Sequence, residues 1–239
     1  MTKHKSQNNN LVYKYCPVSD KHLSNLSKNS LWFSSPLSFE DEYDINLPTT
    51  ETDLKALVEQ YGQYIENIPI EILQSLEQPK NFEKSNNKEN KNLTIKEILN
   101  EFTKKFVGVT CFGKTNNNDY LWNDYGDKHR GFCLGFNINL GQDYFKSLKE
   151  VTYKKNLPII DMFSSHLGKQ IDILCTTKLN KYIDEDECRL IELNPGLNSY
   201  PKSCLTEVIL GREINPNHAS KIRIILTATY NKELSVIEK

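Results

Sequence analysis

CFGKTNNNDYLWNDYGDKHRGFCLGFN, residues Cys111 to Asn137, is the stretch on which the fold is organised. An apolar run, Phe106 to Phe112, leads into it and predicts a buried strand. An asparagine-rich loop follows, then Leu121-Trp122-Asn123-Asp124-Tyr125-Gly126. One helical turn there would put Trp122 and Tyr125 on one side. Gly131 to Phe136 predicts a second strand, and the glycines at 126, 131 and 135 mark turns or close backbone approach. His129 and Arg130 stand between turn and strand. So dense a set of aromatics, glycines, His and Arg fits a functional loop on a rigid scaffold, or an aromatic core plug with two solvated charges.

Outward from this stretch, Leu11 to Cys16 alternates large and polar groups and predicts a strand. A helix over His22 to Lys28 has Ser19 or Asp20 as cap. Ser30 to Ser35 predicts a strand stopped by Pro36, and an acidic loop, Leu37 to Asp44, follows. Residues 50–104 are expected to form a helical insertion in a single domain spanning 1–239, with a polar, flexible segment at 78–92. Further on, helices are expected over Gln142 to Lys149, Ile159 to Leu174 and Asn217 to Leu226. Strands are expected over Glu150 to Tyr153, Cys188 to Leu193 and Leu205 to Leu210, with a last edge strand in the C-terminal tail. Strands joined by turns without a βαβ rhythm predict an α+β fold with a largely antiparallel sheet.

Thirty basic and 31 acidic residues leave a net charge of −1, so no bulk bias toward nucleic acid or membrane follows. Apolar runs are far short of a membrane span. The N-terminal MTKHKSQNNN is basic with no apolar stretch behind it, so it reads as a disordered lead-in rather than a signal peptide. Six scattered cysteines without a CxxC pair point to free thiols and a cytoplasmic setting, and with five scattered histidines they give no metal-ligand spacing.

The strongest chemical candidate is Glu185-x-Glu187-x-Arg189. On a strand the three side chains share a face, and two carboxylates beside a guanidinium make a polarised pair for acid–base work or for steadying a cation. The alternative is a charged solvent face on an edge strand. Two further arrangements are Cys111 or Cys133 with His129 as a nucleophile pair, and Asp184, Glu185 and Glu187 with Lys178 as a metal nuclease lacking the usual acid-x-Lys end.

Several motifs are shared in order with one family: the Tyr13-Lys14-Tyr15 strand, Leu31-Trp32-Phe33-Ser34-Ser35-Pro36 with Phe39 in an acidic loop, Cys111-Phe112, Leu121-Trp122-x-x-Tyr125-Gly126, the His129 to Phe136 segment, Lys178-x-x-x-Tyr182-x-x-Glu185-x-Glu187-x-Arg189 and Val208-Ile209-Leu210-Gly211. Together, from about Tyr13 to Gly211 outside the insertion, they resemble the bacterial domain-of-unknown-function family 2971. Two positions depart: Glu40-Asp41-Glu42 stands where the family tends to carry Asn-Asp-Pro, and Tyr182 where Trp is commoner. The layout resembles that of remote ADP-ribosyltransferases, which implies a split sheet and NAD as co-substrate, without metal. In that resemblance Tyr13 or Tyr15 and Ser34 or Ser35 line the dinucleotide site together with Arg189, and Trp122 or Tyr125 stacks on the nicotinamide or adenine ring. Glu187 would hold the ribose 2′-hydroxyl and steady the cation formed as nicotinamide leaves, while Glu185 orients the acceptor, a protein or nucleic acid. The implied setting is a toxin or phage-defence effector. The competing expectation is a non-enzymatic ligand-binding or interaction module using the same cleft.

Overall fold

A computed structural model of the chain describes residues 10–39, 44, 45, 47, 48, 103, 105–160, 167–230 and 234–238. The expected lead-in lies outside the described residues, as does nearly all of the expected insertion at 50–104 with its segment 78–92. The strands are β1 (Leu11–Cys16), β2 (Ser30–Phe33), β3 (Val107–Gly113), β4 (Phe132–Asn137), β5 (Leu148–Glu150), β6 (Thr152–Lys154), β7 (Thr177–Leu179), β8 (Glu187–Leu193), β9 (Gly196–Ser199), β10 (Leu205–Leu210) and β11 (Ser235–Glu238). α-Helices among the described residues include α1 (Asp20–Ser27), α2 (Asp119–Asp124), α3 (Leu167–Thr176) and α4 (Pro216–Thr229).

The fold is α+β. Seven strands form one sheet in the order β11-β10-β4-β1-β3-β8-β5, antiparallel except where β11 joins β10. Alternation assigns the faces. Phe132, Leu134 and Phe136 of β4, Val208 and Leu210 of β10, and Cys188 and Leu190 of β8 build the main core on one face. The helices α1 and α4 cover that core with Leu26, Ile222 and Leu226. Ser19 caps α1 by accepting from the His22 amide, and Pro216 opens α4 where its missing N–H costs nothing. On the opposite face Leu121 and Trp122 of α2 pack on Tyr13, Tyr15, Cys133 and Ile209. A third cluster gathers Val107, Val109, Leu174 and Cys175.

Between those last two clusters the sheet nearly parts. β1 and β3 pair only at Tyr13 and Gly113, whereas β3 and β8 stay in register from Val107–Leu193 to Gly113–Glu187. Further along β3, Ser34 takes over from β1, exchanging both backbone hydrogen bonds with Val109 at 2.9 Å. Lys14 Nζ donates across the opening to the Cys111 carbonyl at 3.0 Å. β2 itself pairs with β9 in a small separate sheet.

Three expectations are corrected. Gln142 to Lys149 is not a helix: Phe145 is drawn into the core against Phe112 and Phe136, and a 3-10 turn over Ile138–Gly141 makes the short path there. The strand expected over Glu150 to Tyr153 is split at Val151, whose amide donates to the Glu187 carbonyl, so β5 joins the large sheet and β6 pairs with β7. Ile160 is not helical, its amide being held by Pro48 at 2.8 Å, and α3 runs on to Thr176. No described helix is long and apolar enough to cross a membrane.

Gly131 carries one of the closest approaches in the fold. A β-carbon there would lie 2.1 Å from the Cys16 carbonyl oxygen and 2.9 Å from that of Gly126, both backbone atoms. Gly131→Ala is therefore expected to destabilise the protein by about 1–3 kcal/mol or more, measured by urea unfolding.

Candidate functional site

The near-parting of β1 from β3 opens a cleft of about 550 Å³, within the usual range of roughly 300–1,000 Å³ for small-molecule sites. Tyr13, Lys14 and Tyr15 of β1 form one wall, and Cys111 to Gly113 of β3 form another. Trp32, Ser34 and Phe39 close a third side, and Tyr120, Tyr125 and Tyr182 stand around the mouth. Glu185, Glu187, Arg189, Lys178 and Asp44 also line it.

Glu187 and Arg189, two apart on β8, share the cleft face as alternation requires. β8 is an interior strand with β3 and β5 on its two sides. The solvent-face alternative is therefore overturned: Glu185, Glu187 and Arg189 are 3%, 5% and 1% exposed. Glu185 is not on the strand, as the sequence pattern had it. It ends a 3-10 turn, Asn180–Glu185, and Asp186 then takes left-handed backbone (φ 43°, ψ 56°) to enter β8. Asn118, the cap of α2, anchors this turn by donating to the carbonyls of Asp184 (2.7 Å) and Glu185 (3.2 Å). The loop that opened the sequence reading thus sets the position of Glu185.

The five charged groups form one network. Arg189 donates through Nε to Glu187 Oε1 (2.8 Å) and through Nη1 and Nη2 to the two Asp44 oxygens (2.7 and 2.6 Å). Its Nη1 also reaches the Cys175 carbonyl at 2.8 Å. Lys178 Nζ lies 2.6 Å from Glu185 Oε2, 3.5 Å from Glu187 Oε2 and 3.4 Å from Asp44 Oδ2. Burial would raise the Glu187 carboxyl, but Arg189, Lys178 and a hydrogen bond from the Cys111 thiol outweigh it and hold it down at about 2. Glu185 goes the other way. Burial raises it, Lys178 only partly offsets that, and the negative charge of Glu187 raises it further, to about 7. Two adjacent carboxyls are thereby driven apart, one ionised and one poised to exchange a proton, which is how acid and base roles are divided in an active site.

Of the other expected residues, Tyr13, Tyr15, Ser34 and Tyr125 line the cleft; Ser35 does not. Trp122 is corrected. It is fully buried, its ring is packed edge-on against Tyr15 and stacked on His129, and its Nε1 donates to the Asn116 carbonyl at 2.9 Å. It is the core plug, and its neighbour Tyr125, half exposed at the mouth, is the ring that can meet a ligand. The cysteine–histidine pairing also fails. Cys133 is fully buried, and burial with the Glu187 charge pushes the Cys111 thiol well above its ordinary range, so it stays protonated. Among the described residues no group of three or more His, Cys, Asp and Glu is placed to hold a metal ion. Asp44 was missed, and Lys178 was weighed only for a metal site. The available signal was Arg189 itself, since a guanidinium on an apolar strand demands carboxylates from somewhere.

Comparison of the chain with protein-family models, with curated proteins and with solved structures finds no match.

The folded Glu185 binds its proton more tightly than the unfolded chain does. Its contribution to stability is complete below pH 4.5 and is lost as pH rises through about 7. Glu187 contributes in the opposite sense, its share being present above pH 4.5 and lost as pH falls through about 2. Glu185→Gln is expected to flatten the decline in urea midpoint between pH 4.5 and 7, and an unchanged slope would contradict the assignment. Glu187→Gln removes a buried counter-charge of Arg189 and should cost about 3–5 kcal/mol. Trp122→Ala should cost a similar amount, roughly 3–5 kcal/mol, as a truncated core aromatic.

Proposed function

We propose that the protein is a cytoplasmic NAD-consuming enzyme of the ADP-ribosyltransferase or NAD-glycohydrolase kind. The observation that carries this reading is the Glu185–Glu187 pair, buried at a cleft in the sheet and with its two proton affinities driven apart. Cleavage of the bond between ribose C1′ and the nicotinamide nitrogen sends the electron pair to the nicotinamide ring and leaves positive charge on the ribosyl group. A carboxylate kept ionised, as Glu187 is, faces that charge without needing to reorganise. The acceptor, water or a hydroxyl or amine of a larger molecule, then bonds to C1′ and must shed a proton. In this reading Glu185, whose carboxyl is raised by burial to about 7, takes it. Tyr125 offers a ring face at the mouth, and Tyr13, Tyr15 and Ser34 line the cleft.

A second reading is favoured by one fact: both Glu187 oxygens are already engaged, by Arg189 and by Lys178. A carboxylate so satisfied suits a module that binds a ligand without transforming it.

Purified protein given NAD separates the two. The enzyme reading expects nicotinamide release, reduced about 10²–10³-fold by Glu187→Gln under conditions where circular dichroism shows it folded. Glu185→Gln should reduce transfer to an acceptor more than it reduces dinucleotide cleavage. Folded Glu187→Gln with undiminished turnover would remove that residue from the chemistry. Saturable NAD binding without any nicotinamide release from the wild type would leave the binding module.

A further inference from the structure

The Lys178 ammonium sits within 3.5 Å of carboxylate oxygens from Glu185, Glu187 and Asp44, and 4.7 Å from the centre of the Tyr182 ring. Lys178 and Tyr182 both line the cleft. The geometry points to Lys178 as a tethered occupant of a cation site: a ligand carrying a positive charge takes the place of its ammonium between the carboxylates and the Tyr182 ring.

Charge fixes the class of ligand. Asp44, Glu185 and Glu187 bring three carboxyls to this niche, and among the groups that contact them Arg189 supplies one permanent positive charge besides Lys178. With Glu185 protonated, Asp44, Glu187 and Arg189 still leave one negative charge that Lys178 balances. A neutral ligand that displaced Lys178 would leave a buried carboxylate uncompensated, at the high cost of a broken buried ion pair. A cationic ligand restores the balance and keeps the contact with the ring face of Tyr182. Lysine suits the part. Its charge is a compact point on a flexible four-carbon stem, whereas Arg189 is fixed by five contacts to Glu187, Asp44 and the Cys175 carbonyl. This inference deepens the enzyme reading, in which a pyridinium ring and then a ribosyl cation would pass through the cleft, but cation exchange at Lys178 stands without turnover.

The probes are 1-methylnicotinamide, a pyridinium cation, and nicotinamide, its neutral counterpart. Neither has a ribosyl bond to cleave, so the result is independent of whether NAD is consumed. If Lys178 competes for the niche, the apparent affinity of the cation is reduced by the fraction of time the lysine occupies it. Lys178→Met keeps the stem and removes the charge. By calorimetry, the variant should bind 1-methylnicotinamide at least about tenfold more tightly than the wild type, with nicotinamide binding changed far less. In the wild type, saturating 1-methylnicotinamide should increase acylation of Lys178 by an amine-reactive reagent, read by mass spectrometry, and nicotinamide should not. This second measurement decides the matter if Lys178→Met fails to fold. A folded Lys178→Met protein with unchanged or weaker affinity for the cation, or Lys178 labelling unaffected by it, would overturn the inference. Displacement of Lys178 in a protein that releases no nicotinamide from NAD would leave it standing and remove only the reaction.

Discussion

A guanidinium buried to 1% exposure sets the terms for the rest of this structure. Arg189 is on an interior strand, and its desolvation has to be offset by charged partners with good geometry. Those partners come from distant parts of the chain: Glu187 from the same strand, Asp44 from the far N-terminal side, and the Cys175 carbonyl from the end of α3. Each satisfies Arg189 and in turn fixes the element that carries it. The cleft is therefore held open by a polar network in a region where the apolar clusters on either side do not meet.

The same network explains the asymmetry of the two glutamates. Glu187 is the inner one, held by Arg189 and by the Cys111 thiol, with its own amide donating to the Tyr153 hydroxyl at 3.0 Å. Glu185 is paired with Lys178 and is supported on a 3-10 turn that Asn118 ties to the loop before α2. Burial dominates Glu185, while partners dominate Glu187. The proposed chemistry uses that difference: a fixed negative charge for a developing cation, and a labile proton for the group that follows.

Much of the fold was legible in residue pattern. The alternation in Leu11–Cys16, the apolar runs that became β3 and β4, and the proline start of α4 are local signals, and the structure keeps them. The short strands β7 and β9 were not legible, because segments of three or four residues take their conformation from a partner rather than from their own pattern. At the site, the grouping of Glu185, Glu187 and Arg189 was foreseen, but for a reason that holds only for the last two. Glu185 reaches the cluster through the left-handed Asp186, which a period of two does not reveal. Asp44, 145 residues from Arg189, leaves no local trace. Trp122 and Tyr125 looked equivalent by spacing, yet the Nε1 bond to Asn116 and the stacking on His129 place one in the core and leave the other at the mouth.

The central claim is that neighbouring carboxyls in the cleft hold different protonation states near neutral pH. Side-chain carbon-13 NMR of glutamate-labelled protein, with resonances assigned through Glu185→Gln and Glu187→Gln, reads each carboxyl directly as pH is varied. The account predicts that Glu185 titrates near 7 while Glu187 remains ionised down to about 2. Two carboxyls titrating together near the ordinary 4.5 would contradict it.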